Sequence, residues 1–130
     1  MTDPDRAPTD EITDAAHELI SSRRVEGTKV YNREGEKLGT IRTVMIEKRS
    51  GQVRYAVLSF GGFLGIAEVA HPVPWETLTY DVERDGYVMD ATREQLENAP
   101  TFALDHADRP RSREEDEAMY AYYSAPWGVP

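Results

Sequence analysis

No cysteine occurs anywhere in the 130 residues, which removes disulfides, thiolate metal sites and a thiol nucleophile from consideration. Stability must come from ordinary apolar burial. No run approaches the roughly 20 apolar residues that span a bilayer, and the opening Met1-Thr-Asp-Pro-Asp5 is acidic where a secretory leader is basic and then apolar. The expectation is a soluble, cytoplasmic protein without a membrane partner. Histidines number three, His17, His71 and His106, and no two have the i, i+4 spacing of a helical ligand pair. No metal and no cofactor are expected.

A basic surplus is also missing. The net charge is −9, but it is unevenly spread: residues 1–21 hold six acids and one arginine, residues 22–99 hold twelve acids and eleven bases, and residues 100–130 hold six acids and three bases. The acidity belongs to the two ends. A near-neutral core offers no basic face to neutralise phosphates, so direct nucleic-acid binding is not expected. The length suits one core with tails.

What is present is a β pattern built around Tyr55 to Trp75, where two apolar runs flank the corner Gly61-Gly-Phe-Leu-Gly65 and the second run ends in Pro72-Val-Pro-Trp75. Before it, Val25 to Tyr31 reads as a strand, Asn32 to Glu36 as a tight turn, and Thr40 to Glu47 as a second strand. Gly51 marks the next turn, with a positive φ expected. Val53 to Phe60 is apolar on both faces, Tyr55 and Val57 on one and Ala56, Leu58 and Phe60 on the other, as befits a central strand. Ile66 to Pro74 follows, its prolines pushing it toward an edge or a strand end. Leu78 to Val82 and Tyr87 to Asp90, joined at Asp85-Gly86, complete six short strands, and tight turns between them suggest a small antiparallel barrel.

Thr92-Arg-Glu-Gln95 has the form of a capping box opening a short helix to about Asn98, with Pro100 as its stop. Ser112-Arg-Glu-Glu115 has the same form and opens Arg113 to Tyr123, where Met119, Tyr122 and Tyr123 share an apolar face. That helix can dock on its own barrel, on a second copy or on a partner. The first 21 residues, poor in large apolar side chains, are expected to form an arm without fixed structure, although Ile12, Ala15, Ala16 and Leu19 fall at helical spacing.

Catalytic patterns are weak. The glycine corner lacks the Lys-Ser/Thr of a phosphate loop and no helix follows it, so a bulged β-corner explains it better. Ser59 has no nucleophile elbow around it, and the acids of Glu34 and Glu36, or Asp81, Glu83 and Asp85, lie in turns or at strand ends where they are solvated. No enzyme is expected.

Taken together in order and spacing, Val25-Glu-Gly-Thr-Lys-Val-Tyr-Asn32, Gly35-Glu-Lys-Leu-Gly-Thr-Ile41, Val44-Met-Ile-Glu-Lys-Arg-Ser-Gly51, Tyr55-Ala-Val-Leu-Ser-Phe60 and Pro72-Val-Pro-Trp75 resemble a PRC-barrel domain. The likeness is closest to free-standing bacterial members, and it extends to the cytoplasmic domain of the photosynthetic reaction centre H subunit and to the C-terminal domain of a ribosome maturation factor. It implies a six-stranded β-barrel used as an adaptor surface and brings no catalytic residues. The expected organisation is an acidic arm over 1–21, the barrel domain over 22–102 and an acidic, aromatic tail over 103–130. The function expected is a non-catalytic protein–protein interaction module, self-associating as a homodimer. Phe63 and Leu64 at a loop tip, with Trp75, Met119, Tyr122, Tyr123 and Trp127, are the candidate interface. The alternatives are a ribosome- or RNA-associated factor, by analogy with the maturation factor, and a barrel binding a small ligand near His71 and Trp75.

Overall fold

The computed structural model describes residues 17–61 and 68–125. It is mainly β, a single curled sheet with, among the described residues, three short α-helices. In chain order the elements are α1 (Ser22–Val25), β1 (Lys29–Tyr31), β2 (Lys37–Ile46), β3 (Val53–Gly61), β4 (Glu68–Pro74), β5 (Leu78–Asp81), β6 (Gly86–Met89), α2 (Arg93–Glu97), β7 (Phe102–Ala103) and α3 (Arg113–Tyr122). A 3-10 turn over Trp75–Thr77 joins β4 to β5, and another over Leu104–His106 follows β7. Among the described residues no helix is long and apolar enough to cross a membrane.

Two expectations are corrected. The sheet has seven strands in the order β5-β6-β1-β2-β3-β4-β7, not six. It is also not wholly antiparallel, because β1 and β6 run parallel, with Val30 opposite Tyr87 and Tyr31 opposite Val88. The extra strand is the short β7, which pairs Ala103 and Phe102 with Val69 and Ala70 of β4. Tight turns specify only pairings between consecutive strands, all antiparallel, so the parallel contact between strands distant in sequence leaves no local signal. The first strand is shorter than expected: Val25 ends α1, Gly27 takes φ of 90°, and β1 begins only at Lys29.

The strand order requires the sheet to curl. β5 and β4 are separated in it by five strand spacings, roughly 24 Å if the sheet were flat. In sequence only the three residues of the 3-10 turn lie between them, a path of at most about 15 Å. The sheet therefore wraps until these strands approach each other. Its concave side buries Val30, Leu38, Ile41, Leu58, Val73 and Met89, all at 0–1% exposure, and Leu96 of α2 joins the same cluster.

Glycine is needed for close approach at Gly39, where a Cβ would lie 2.5 Å from the Ser59 carbonyl oxygen of the neighbouring strand. Gly51 has the expected positive φ, 77°. The prolines of β4 also find a suitable place. β7 covers only Val69 and Ala70, so beyond them Pro72 and Pro74 pair with β3 on one side and with no described strand on the other.

Candidate interaction surface

The two apolar faces of β3 belong to two different cores. Ala56 and Leu58 point into the curled sheet, while Tyr55 and Val57 point outward and join Ala70, Met119 and Tyr120 in a second buried cluster. The cover on this outer face is α3. Its start is fixed locally: the Ser112 hydroxyl accepts from the Glu115 N–H at 3.1 Å and the Glu115 carboxylate accepts from the Ser112 N–H at 3.0 Å. Glu114, Glu115 and Asp116 in the first turn complement the positive end of the helix.

The buried face of α3 comprises Asp116, Met119 and Tyr120, at helical spacing, and Tyr123 at its C-cap continues it. The Tyr120 hydroxyl donates to the Arg54 carbonyl, and the Tyr122 hydroxyl donates to the Gln95 carbonyl at 2.6 Å, so α3 is tied both to β3 and to α2. Burial lifts the Asp116 carboxyl above its ordinary range, which the nearby Arg111 guanidinium partly offsets. Arg111 in turn lies over the Phe102 ring at 4.6 Å.

These contacts place the candidate interface residues. Met119 is wholly buried against the chain's own sheet and has no surface left for a partner. Tyr123 packs between the two cores, and its buried hydroxyl, which lacks a hydrogen-bond partner, has its pKa raised by burial. Tyr122 remains 40% exposed. Trp75 is half-buried over the inner core, edge-on to Tyr87 at 5.2 Å, and Tyr87 meets Tyr80 in the same manner at 5.5 Å. Phe63, Leu64 and Trp127 lie outside the described residues. Tyr120, one of the aromatic residues that mark this tail, is more central to docking than Tyr122; the sequence signal for its inward face is the i, i+4 relation to Asp116, concealed because a carboxylate does not mark an apolar stripe.

Beside the end of α3 runs an open cleft of about 950 Å³ along the outer side of the β5–β6 hairpin. Thr77, Thr79, Asp81 and Val88 line its floor, and Tyr123, Ser124 and Ala125 form one wall. Its β5 border is the edge of the sheet, since β5 pairs with β6 and with no other described strand. Arg33 and Asp90 bridge at 3.1 Å on the rim, both well exposed and so weakly coupled. The Tyr80 hydroxyl donates to Asp85, and that bond pushes the Tyr80 pKa up to about 12.

The one histidine of the interior is His71, opposite Leu58 on the inner face and edge-on to Phe60 at 5.4 Å. It is 1% exposed and neither ring nitrogen has a hydrogen-bond partner. Burial lowers its pKa to about 4, so the ring is neutral at pH 7. Among the described residues no three His, Asp or Glu side chains converge as a metal site would need.

A curled β domain with a helix docked on its outer face is the class that this geometry defines. The sequence matches the PRC-barrel domain model over residues 17–96, and the chain belongs to that family. It is also similar to an uncharacterized protein of Deinococcus radiodurans, 28% identical over 94 residues, which amount to 72% of this chain and 33% of that protein. The chain thus spans about a third of the length of that relative. The family resemblance read from the sequence is borne out.

Proposed function

We propose that this chain is a non-catalytic protein-binding module of the bacterial cytoplasm that self-associates as a dimer, by pairing across the open edge of β5. The supporting observation is that, among the described residues, β5 pairs with a strand on one side only and borders an open cleft. A free strand edge presents unpaired N–H and C=O groups and accepts a further strand, while a neighbouring depression takes alternate side chains. Two copies of Leu78–Asp81 meeting antiparallel satisfy a two-fold axis with one patch used twice. The opposite edge is the two-residue β7, a poor template by comparison. In this reading the six strands from β5 to β4 are the family's barrel strip with its seam between β5 and β4 left unpaired, β7 is an addition to it, and the module requires no cofactor.

Sedimentation equilibrium of the full chain tests the reading, with Thr79→Lys combined with Val82→Lys to place charges on the edge; Val82 is 53% exposed. The expected result is a dimer for the native chain and a monomer of unchanged circular dichroism and Tm for the variant. A native chain that stays monomeric throughout, or a dimer that the variant leaves intact, rejects it.

A further inference from the structure

The buried polar atoms that lack a hydrogen-bond partner are unevenly placed. Among the described residues they belong to four side chains, His71, Arg111, Asp116 and Tyr123. His71 lies within the sheet, whereas Arg111 leads into α3, Asp116 stands in its first turn and Tyr123 is its C-cap. Arg111 Nε, Asp116 Oδ1 and the Tyr123 hydroxyl are thus kept dry along one segment, and they regain water when that segment lifts. Their burial opposes the apolar gain from seating Met119 and Tyr120.

The sheet closes without α3. Every buried member of the inner cluster falls between Val25 and Leu96, inside the stretch 17–96 that forms the family's domain. α3 begins beyond that stretch, after residues 107–112, which form neither helix nor strand. Among the described residues no backbone hydrogen bond joins α3 to a strand. Side chains hold it, with Tyr120 donating to the Arg54 carbonyl and Tyr122 to the Gln95 carbonyl. Beneath it lie Tyr55 and Val57 of β3 and Ala70 of β4, bordered by Met45 and Phe102. The chain's own helix shows what fits this apolar face: an adjoining methionine and tyrosine, behind an acidic first turn.

We propose that α3 is an autoinhibitory strap: the outer face of β3 and β4 is a seat for an amphipathic helix, and α3 lifts from it as a unit, with the sheet intact, to admit a partner helix of the same chemistry. This face is a binding site additional to the β5 edge. A tethered helix competes at an effective concentration on the order of millimolar, so a helix supplied in trans binds weakly while α3 is seated. The three dry polar atoms bias the strap toward release, because they weaken the seated state and leave the sheet untouched.

The test titrates a fluorescent peptide of residues 110–125, followed by anisotropy, into three full-length proteins. These are the native chain, a Met119→Glu, Tyr120→Glu variant whose strap cannot seat, and an Asp116→Leu, Tyr123→Phe variant whose strap seats without two of the dry polar atoms. The glutamate variant is expected to keep the native amide shifts of β1, β5 and β6 and to bind the peptide at least about tenfold more tightly than the native chain. The Asp116→Leu, Tyr123→Phe variant is expected to bind it at least about threefold less tightly than the native chain. Loss of the sheet's amide shifts in the glutamate variant overturns the proposal, because α3 is then inseparable from the fold. So does a folded glutamate variant that fails to bind the peptide, since the face then seats no helix in trans, or equal binding by all three proteins, since α3 then bars nothing.

Discussion

Tyr120 and Arg54, 66 positions apart, are joined by a hydrogen bond from the tyrosine hydroxyl to the arginine carbonyl, made at the centre of the second core. The bond makes α3 part of the fold. A hydroxyl taken out of water at 1% residue exposure needs that acceptor, and the carbonyl belongs to the strand that both cores share.

Met119→Ala and Tyr120→Phe should therefore destabilise the domain by different amounts. The methionine truncation leaves a void in a fully buried site and should cost about 2–5 kcal/mol. Tyr120→Phe keeps the ring and leaves one carbonyl short of a donor, at about 1–2 kcal/mol. Urea denaturation checks both. Values near zero for both variants would mean that α3 does not dock on this face.

His71 predicts a pH dependence with a definite sign. Below about 6.5 the unfolded chain takes up a proton on this imidazole, while the folded chain resists until about 4. The unfolded state thus binds more protons across that window, and stability falls as pH falls through it, by on the order of 3 kcal/mol when complete. His71→Leu should flatten this component. Denaturation midpoints at pH 7.5 and 4.5 are compared for both proteins, and parallel losses in the two would refute the assignment.

Gly39→Ala tests the tight contact between β2 and β3. With the Ser59 carbonyl oxygen 2.5 Å from the added carbon, backbone must move, and the expected cost is about 1–3 kcal/mol or a shifted register between these strands. Amide exchange at Thr40 and Ser59 reports the local opening. An alanine variant as stable as the native chain would show that the strands separate freely here.

How much of this was legible depended on the range of the interaction. Both capping boxes, at Thr92 and Ser112, close within four residues and were readable as written. The two-sided character of Tyr55 to Phe60 was readable because strand alternation is local, although nothing in the strand says that two separate cores receive the faces. The parallel pairing of β1 with β6 and the added β7 were not readable, since each joins segments with no turn between them. On α3 the aromatic content was plain, but the sequence did not reveal which rings face inward. Tyr120 points in and Tyr122 stays at the surface because the sheet, which lies far away in sequence, decides the angle of docking.

The parallel contact also sets an order of events on the ribosome. Of the described strands β1 emerges first, and β2 can pair with it at once, but Tyr87 follows Val30 by 57 positions. At roughly 5–20 residues per second, the second edge of β1 waits about 3–11 s for its neighbour. During that interval the nascent chain carries an open strand, and its completion depends on the later hairpin of β5 and β6.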